Sequence, residues 1–185
     1  GGSTGPGDKG LTPYGARTLA RMNHRGMAAD IAHCGDRTTL DVIEASAKPV
    51  LVTHSNCRAL VPYSARCKTN AAIRALAAKG GVMGVTMERL FVDTGPSVTI
   101  ENVLDHIDHV AKLVGVEHVG LGTDVDLDGR DGAIPKKKND LDGVEYSRKI
   151  FQVTEGLIRR KYSRADIQLI LGGNFQRALS EIWTG

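Results

Sequence analysis

Four short apolar runs organise the chain, at residues 27–33, 50–55, 82–87 and 118–124. Each is nearly continuous in hydrophobic residues rather than alternating, which marks strands covered on both faces. Between them the period lengthens to that of a helix. Thr12 is placed to cap a first helix, with Pro13 at its first position and Leu19 and Met22 on one face; Gly26 stops it. Leu40, Val42, Ile43 and Ala45 mark a second helix, ended before Pro49. Ile73, Leu76 and Ala77 give a third, over residues 70–79, ended by Gly80-Gly81. After a loop with Pro96, Thr99 opens the strongest amphipathic segment, with Val103, Leu104, Ile107, Val110, Ala111 and Val114 as its stripe and Gly115 as its stop. A long polar loop then runs to about Gly143. Two helices close the chain, over residues 144–161 and 164–183, with a break near Gly172-Gly173. Strands alternating with helices predict an α/β fold, a parallel sheet of about four strands with covering helices. That is half of a (β/α)8 TIM-type barrel, which needs about 250 residues when complete. Residues 1–10 read as a loop or ragged start, and residues 11–185 as one partial barrel domain.

Composition adds exclusions. The chain has 185 residues, 41% hydrophobic and 24% charged, with a formal net charge of +3. No apolar run approaches the roughly 20 residues of a membrane span. The N-terminus lacks the charged start and apolar core of a secretory signal, which leaves the compartment open. The basic run Lys136-Lys137-Lys138 stands in a Gly/Asp/Pro-rich loop with no aromatic or basic stripe beside it, so a nucleic-acid surface is not expected. Cys34, Cys57 and Cys67 form no CxxC pair and read as reduced, small buried hydrophobes.

The candidate chemistry lies at the ends of the runs. His33 and His54 end the first two, one βα repeat apart, and Asp124 ends the fourth. In parallel α/β folds, function gathers at the C-terminal strand ends. Neutral imidazoles on adjacent strands can converge on one metal ion. Asp124 is placed to act as a general base on a metal-activated water and then as an acid to a leaving amine. Arg66, just beyond the second strand, suits a substrate carboxylate, which guanidinium grips bidentately. Two patterns are set aside. Asp124-Val125-Asp126-Leu127-Asp128-Gly129 imitates the start of a calcium loop, but its twelfth position is Pro135 where a bidentate Glu is required. His106-Ile107-Asp108 imitates a metal-binding HxD but falls inside the amphipathic helix, where its ends do not share a face. His106 and His109 are therefore expected on a solvated helix surface, and His24 and His118 are expected to be structural.

At these residues the chain resembles the membrane dipeptidase family, also called renal dipeptidases or the M19 peptidases. Gly10-Leu11-Thr12-Pro13-Tyr14-Gly15 resembles the family's GLT-x-[FY]-G opening, and Asp30-Ile31-Ala32-His33 its D-[LIV]-[SA]-H. Thr53-His54-Ser55-Asn56, followed by Arg58-Ala59-Leu60, resembles SHS-x-x-RAL. Gly80-Gly81-Val82-Met83-Gly84-Val85, Asp105-His106-Ile107-Asp108-His109, Val119-Gly120-Leu121-Gly122-Thr123-Asp124 and Gly173-Asn174-Phe175 follow in family order. The family has Asn where Cys67 follows Arg66.

The resemblance implies that these strands are the fifth to eighth of the barrel. It implies a dipeptidase using two zinc ions, with tolerance for D-residues at the C-terminal position of the dipeptide. His33 and His54 match the histidines holding one zinc, Arg66 an arginine that contacts substrate, and Asp124 the aspartate serving the substrate amine and proton transfer. The family's first-strand HxD, its bridging Glu and a substrate-binding His all belong upstream of the segment seen here. The expectation is a fragment with half of the metal site, inactive alone. Two other readings stay open: another metal-dependent amidohydrolase, and a non-catalytic half-barrel that associates with a partner or with itself, because an open sheet edge invites pairing.

Overall fold

The computed structural model describes residues 1–5, 7–124, 141–144 and 148–183. A four-stranded parallel sheet runs in the order β1 (Ala29–Asp30), β2 (Val50–Ser55), β3 (Val82–Val85), β4 (Val119–Leu121). Ala29 pairs with Val50, Leu51 with Val82, and Met83 with Val119. Helices α1 (Pro13–His24), α2 (Asp36–Ala45), α3 (Asn70–Ala78), α4 (Arg89–Val92) and α5 (Ile100–Val114) precede and link the strands. Helices α6 (Lys149–Arg159), α7 (Arg164–Gln168) and α8 (Asn174–Trp183) follow, and a π-helical turn at Leu169–Gly173 joins the last two.

The capping chemistry is as the residue types require. Thr12 Oγ1 accepts from Gly15 N at 3.1 Å with Pro13 at the first position of α1. Thr99 and Asn102 cap α5 reciprocally. The break at Gly172-Gly173 is the π turn, where Gly172 leaves helical geometry.

Side chains on alternate strand positions face opposite layers. Val50, Val52, Met83, Val85 and Val119 belong to the main core with residues of α2, α3 and α5. Leu51 and Val82 face the other way and meet Ala178 and Ile182 of α8. Helix α8 lies across the N-terminal ends of the strands: Arg177 donates to Gly80 O at 3.0 Å and Glu117 O at 3.1 Å, and Lys48 donates to Glu181 O at 3.2 Å. It floors the sheet at the end away from His33, His54 and Asp124. None of the described helices is long and apolar enough to cross a membrane.

Several expectations change. The third and fourth strands end early, at Val85 and Leu121, so Asp124 stands three residues beyond β4 rather than at its end. The first strand is two residues, not seven, because the Asp30 carboxylate accepts from Ala32 N at 3.0 Å and turns the chain; Cys34 N then bonds Ile31 O at 3.1 Å. His33 therefore stands on a turn after β1 rather than on a strand. His106 is not on a solvated surface. It is fully buried, accepting on Nδ1 from Cys57 N at 3.1 Å and donating from Nε2 to Val92 O at 2.9 Å, so it seals α5 against two loops. His109 is half-buried and pairs with Asn70 Oδ1 at 2.8 Å. His118 is structural as expected, donating to Gly81 O at 2.8 Å. The calcium-like pattern beyond Asp124 and the lysine run at 136–138 lie outside the described residues.

Candidate active site at the C-terminal rim of the sheet

The turn after β1 and the end of β2 bring two imidazoles head to head. His33 Nε2 and His54 Nε2 are 2.9 Å apart, with ring centroids 5.0 Å apart and planes tilted by 60°. Asp124 reaches the pair although β3 lies between its strand and β2. Two glycines allow this. A Cβ on Gly84 would lie 2.2 Å from Thr53 O, and one on Gly122 only 1.8 Å from it. With hydrogen there instead, the end of β4 folds over β3 onto β2. Asp124 Oδ1 comes to 4.0 Å from His54 Nε2, with its side chain half exposed. Asp124 adopts φ 57°, a left-handed conformation that Asp tolerates better than most residues and that clusters at functional sites.

Two cations hold the backbone beneath the histidines. Arg66, 4% exposed, donates from Nη1 to Ala32 O and from Nη2 to His54 O at 3.0 Å. Its planar fork thus ties the backbone beside His33 to that of His54. Its Nε is buried without a partner, and its guanidinium lies 5.5 Å from the Phe91 ring centroid. Lys68 Nζ donates to Ile31 O and Cys34 O, both at 2.8 Å. Burial lowers the proton affinity of the Arg66 guanidinium, and the Asp124 carboxylate opposes that. Burial, Arg66 and His54 together lower the His33 pKa, favouring the neutral ring that a metal requires.

Sequence reasoning missed the layer behind the histidines. Asp30 Oδ1 accepts from Ala32 N and Thr53 N, both at 3.0 Å, and Oδ2 accepts from Thr53 Oγ1 at 2.7 Å. Thr53 Oγ1 in turn lies 2.8 Å from His54 Nδ1. The signal was present in the positions of Asp30, three residues before one histidine, and Thr53, next to the other. Only the pairing of β1 with β2 joins them.

The donor set fits part of a metal site. Two nitrogens on one tetrahedral zinc, each at about 2.0–2.1 Å, stand about 3.3 Å apart. The observed 2.9 Å is close to that edge. Among the described residues, no group of three His, Cys, Asp or Glu side chains is gathered tightly enough to hold an ion.

A parallel sheet with helices on its faces and its polar groups collected at the carboxyl ends of the strands is a barrel-type α/β chain. The chain belongs to the membrane dipeptidase family, peptidase family M19, whose model matches residues 2–184. The dipeptidase tcpJ of Claviceps purpurea (strain 20.1) is 30% identical over 180 residues, covering 97% of this chain and 40% of its own length. The dipeptidase verJ of Clonostachys rogersoniana is 31% identical, covering 97% of this chain and 44% of its own. An amidohydrolase structure from Pseudomonas aeruginosa superposes with a TM-score of 0.84 at 27% identity, covering 97% of this chain and 60% of that one. A metallo peptidase from Rhodobacter sphaeroides, solved with a phosphinate mimic of the dipeptide L-Ala-D-Ala, superposes with a TM-score of 0.83. It is 24% identical, covering 99% of this chain and 50% of that one, a likeness of fold. The chain spans about two fifths of the length of the curated relatives named here.

Proposed function

We propose that this chain carries the second half of a metallo-dipeptidase active site. The observation that carries the reading is the head-to-head pair of Nε2 atoms, 2.9 Å apart, with the Asp124 carboxylate 4.0 Å from one of them. His33 and His54 would hold the metal, and zinc is the ion we assign, two ions being expected in the complete site. When bound, the metal polarises the scissile carbonyl and acidifies water. Asp124, half exposed at the rim, takes the proton released as water attacks and returns it to the leaving amine. Arg66 commits one N–H each to Ala32 O and His54 O, and we assign a remaining terminal N–H of its guanidinium to the substrate carboxylate.

Two imidazoles and one carboxylate do not hold a dinuclear pair. The 185-residue chain is therefore expected to bind Zn²⁺ weakly and to hydrolyse no dipeptide on its own. Incubation with Zn²⁺ and a panel of dipeptides, including D-residues at the C-terminal position, tests this. Zn²⁺-dependent turnover by the isolated chain would contradict the half-site reading. Turnover of a lactone or phosphoester instead would move it toward another amidohydrolase chemistry.

A second reading is favoured by the sheet itself. That reading is a half-barrel that associates with a partner or with itself: among the described residues β1 and β4 each pair on one side only. Such edges invite pairing with another chain. Light scattering decides it: a stable monomer opposes association.

A further inference from the structure

We propose that Asp30 is a positioning residue that sets both imidazoles of the rim at once. It fixes the two backbone segments that carry them and, through the Thr53 hydroxyl, holds His54 in the tautomer protonated on Nδ1. The proposal rests on the reading of His33 and His54 as metal ligands, and its test separates the two.

The Asp30 carboxylate accepts through Oδ1 from Ala32 N, adjacent to His33, and from Thr53 N, adjacent to His54. The turn that carries His33 and the strand end that carries His54 are thereby referred to one oxygen. Oδ2 is 2.7 Å from Thr53 Oγ1. A carboxylate only accepts, so the single hydroxyl proton of Thr53 is donated to Asp30. Thr53 Oγ1 can then only accept from His54 Nδ1, 2.8 Å away. The His54 ring proton therefore sits on Nδ1, and its Nε2 presents a lone pair toward His33 Nε2. A ligating histidine held this way through its other nitrogen is oriented and made a better donor. No comparable partner is described for His33 Nδ1, so the relay acts on one ligand and the backbone bonds on both.

Asp30→Asn inverts the chain of donors at almost no change in shape. Its amide oxygen stays opposite the Ala32 and Thr53 N–H groups, because the flipped amide would set an NH₂ against two donors. The NH₂ then occupies the place of Oδ2 and donates to Thr53 Oγ1. Thr53 must donate to His54 Nδ1, and the ring proton moves to Nε2, where it blocks the metal-facing lone pair. Thr53→Ser keeps the relay, and Thr53→Val removes it without touching the Asp30 backbone bonds.

The test is the ¹⁵N spectrum of the His54 ring in the metal-free 185-residue chain at pH about 8, where imidazole is neutral, followed by Zn²⁺ titration. The wild type and Thr53→Ser should show a protonated, pyrrole-type Nδ1 and a pyridine-type Nε2. Asp30→Asn should show the reverse, with Zn²⁺ affinity lower by roughly 10–100-fold. Thr53→Val should show a mixture of the two tautomers, and it carries the test if Asp30→Asn fails to fold. A His54 tautomer unchanged in both variants overturns the relay, even if Zn²⁺ binds both rings. If the tautomer reverses but Zn²⁺ shifts neither His33 nor His54 in the wild type, the relay stands and the metal reading falls.

Discussion

Lys68 is the group whose cost can be read most cleanly. It is 2% exposed, and its Nζ donates to Ile31 O, Cys34 O and Thr39 Oγ1 at 2.8, 2.8 and 3.3 Å. All three acceptors are neutral, so no directly bonded carboxylate offsets the loss of water, and the more distant Asp36 offsets it only in part. Burial pushes its pKa from 10.5 down to about 8. At about 1.4 kcal/mol per unit, the charged form costs the fold about 3 kcal/mol. The ammonium is kept because it satisfies the carbonyls flanking the turn that carries His33. Between pH 8 and 10.5 the unfolded chain holds this proton and the folded chain does not, so the Lys68 contribution to stability rises with pH. A rise of about 2–3 kcal/mol should be complete by pH 10. Urea unfolding at intervals from pH 7 to 10 measures it, comparing the parent with Lys68→Met. Both proteins should carry Cys34→Ala, because Lys68 also acts on the Cys34 thiol. Other titrations then cancel, and the difference between the curves should grow by about 2–3 kcal/mol in favour of the lysine protein. Curves that stay parallel within about 0.5 kcal/mol would refute the burial argument.

Further outcomes follow from the same geometry. Burial lowers the His106 pKa from 6.5, so the folded chain refuses a proton that the unfolded chain accepts. The stability this contributes is whole above pH 6.5 and is lost as pH falls below it; His106→Phe should flatten that acid limb in urea titrations. The same substitution strands Cys57 N and Val92 O and should cost about 2–4 kcal/mol near neutral pH, by the same assay. Gly122→Ala drives a methyl into Thr53 O; we expect a loss of about 1–3 kcal/mol in urea unfolding and shifted His54 ring resonances. A silent Gly122→Ala would refute the close crossing that brings Asp124 to His54.

The apolar runs and their glycine, proline and threonine punctuation were enough to place four parallel strands and most of the helices, because those signals act over a few residues. Strand ends were less legible. β1 closes at Asp30 because a side chain, not a loop residue type, turns the chain there. His106 was misplaced because polarity outweighed position: it stands three residues after Val103 and four before Val110, inside the buried arc of α5. His33, His54 and Asp124 were legible as residues closing their apolar runs; only His54 lies within a strand, and the structure sets His33 against it and Asp124 4.0 Å from it. Arg66 was legible as a cation near the site, but its two backbone carbonyl partners were not. Asp30, Thr53 and Lys68 become a supporting layer only when β1 and β2 pair, which no local pattern reports.

The central claim is that the rim of this sheet is a metal-binding half-site made of His33 and His54. Zn²⁺ titration of the 185-residue chain, followed through the ring ¹⁵N signals of its six histidines, tests it most directly. The Nε2 signals of His33 and His54 should move together with weak affinity, either single alanine substitution should abolish the response, and His24, His106, His109 and His118 should stay still. Zn²⁺ uptake at any other histidine, or none at this pair, would contradict it.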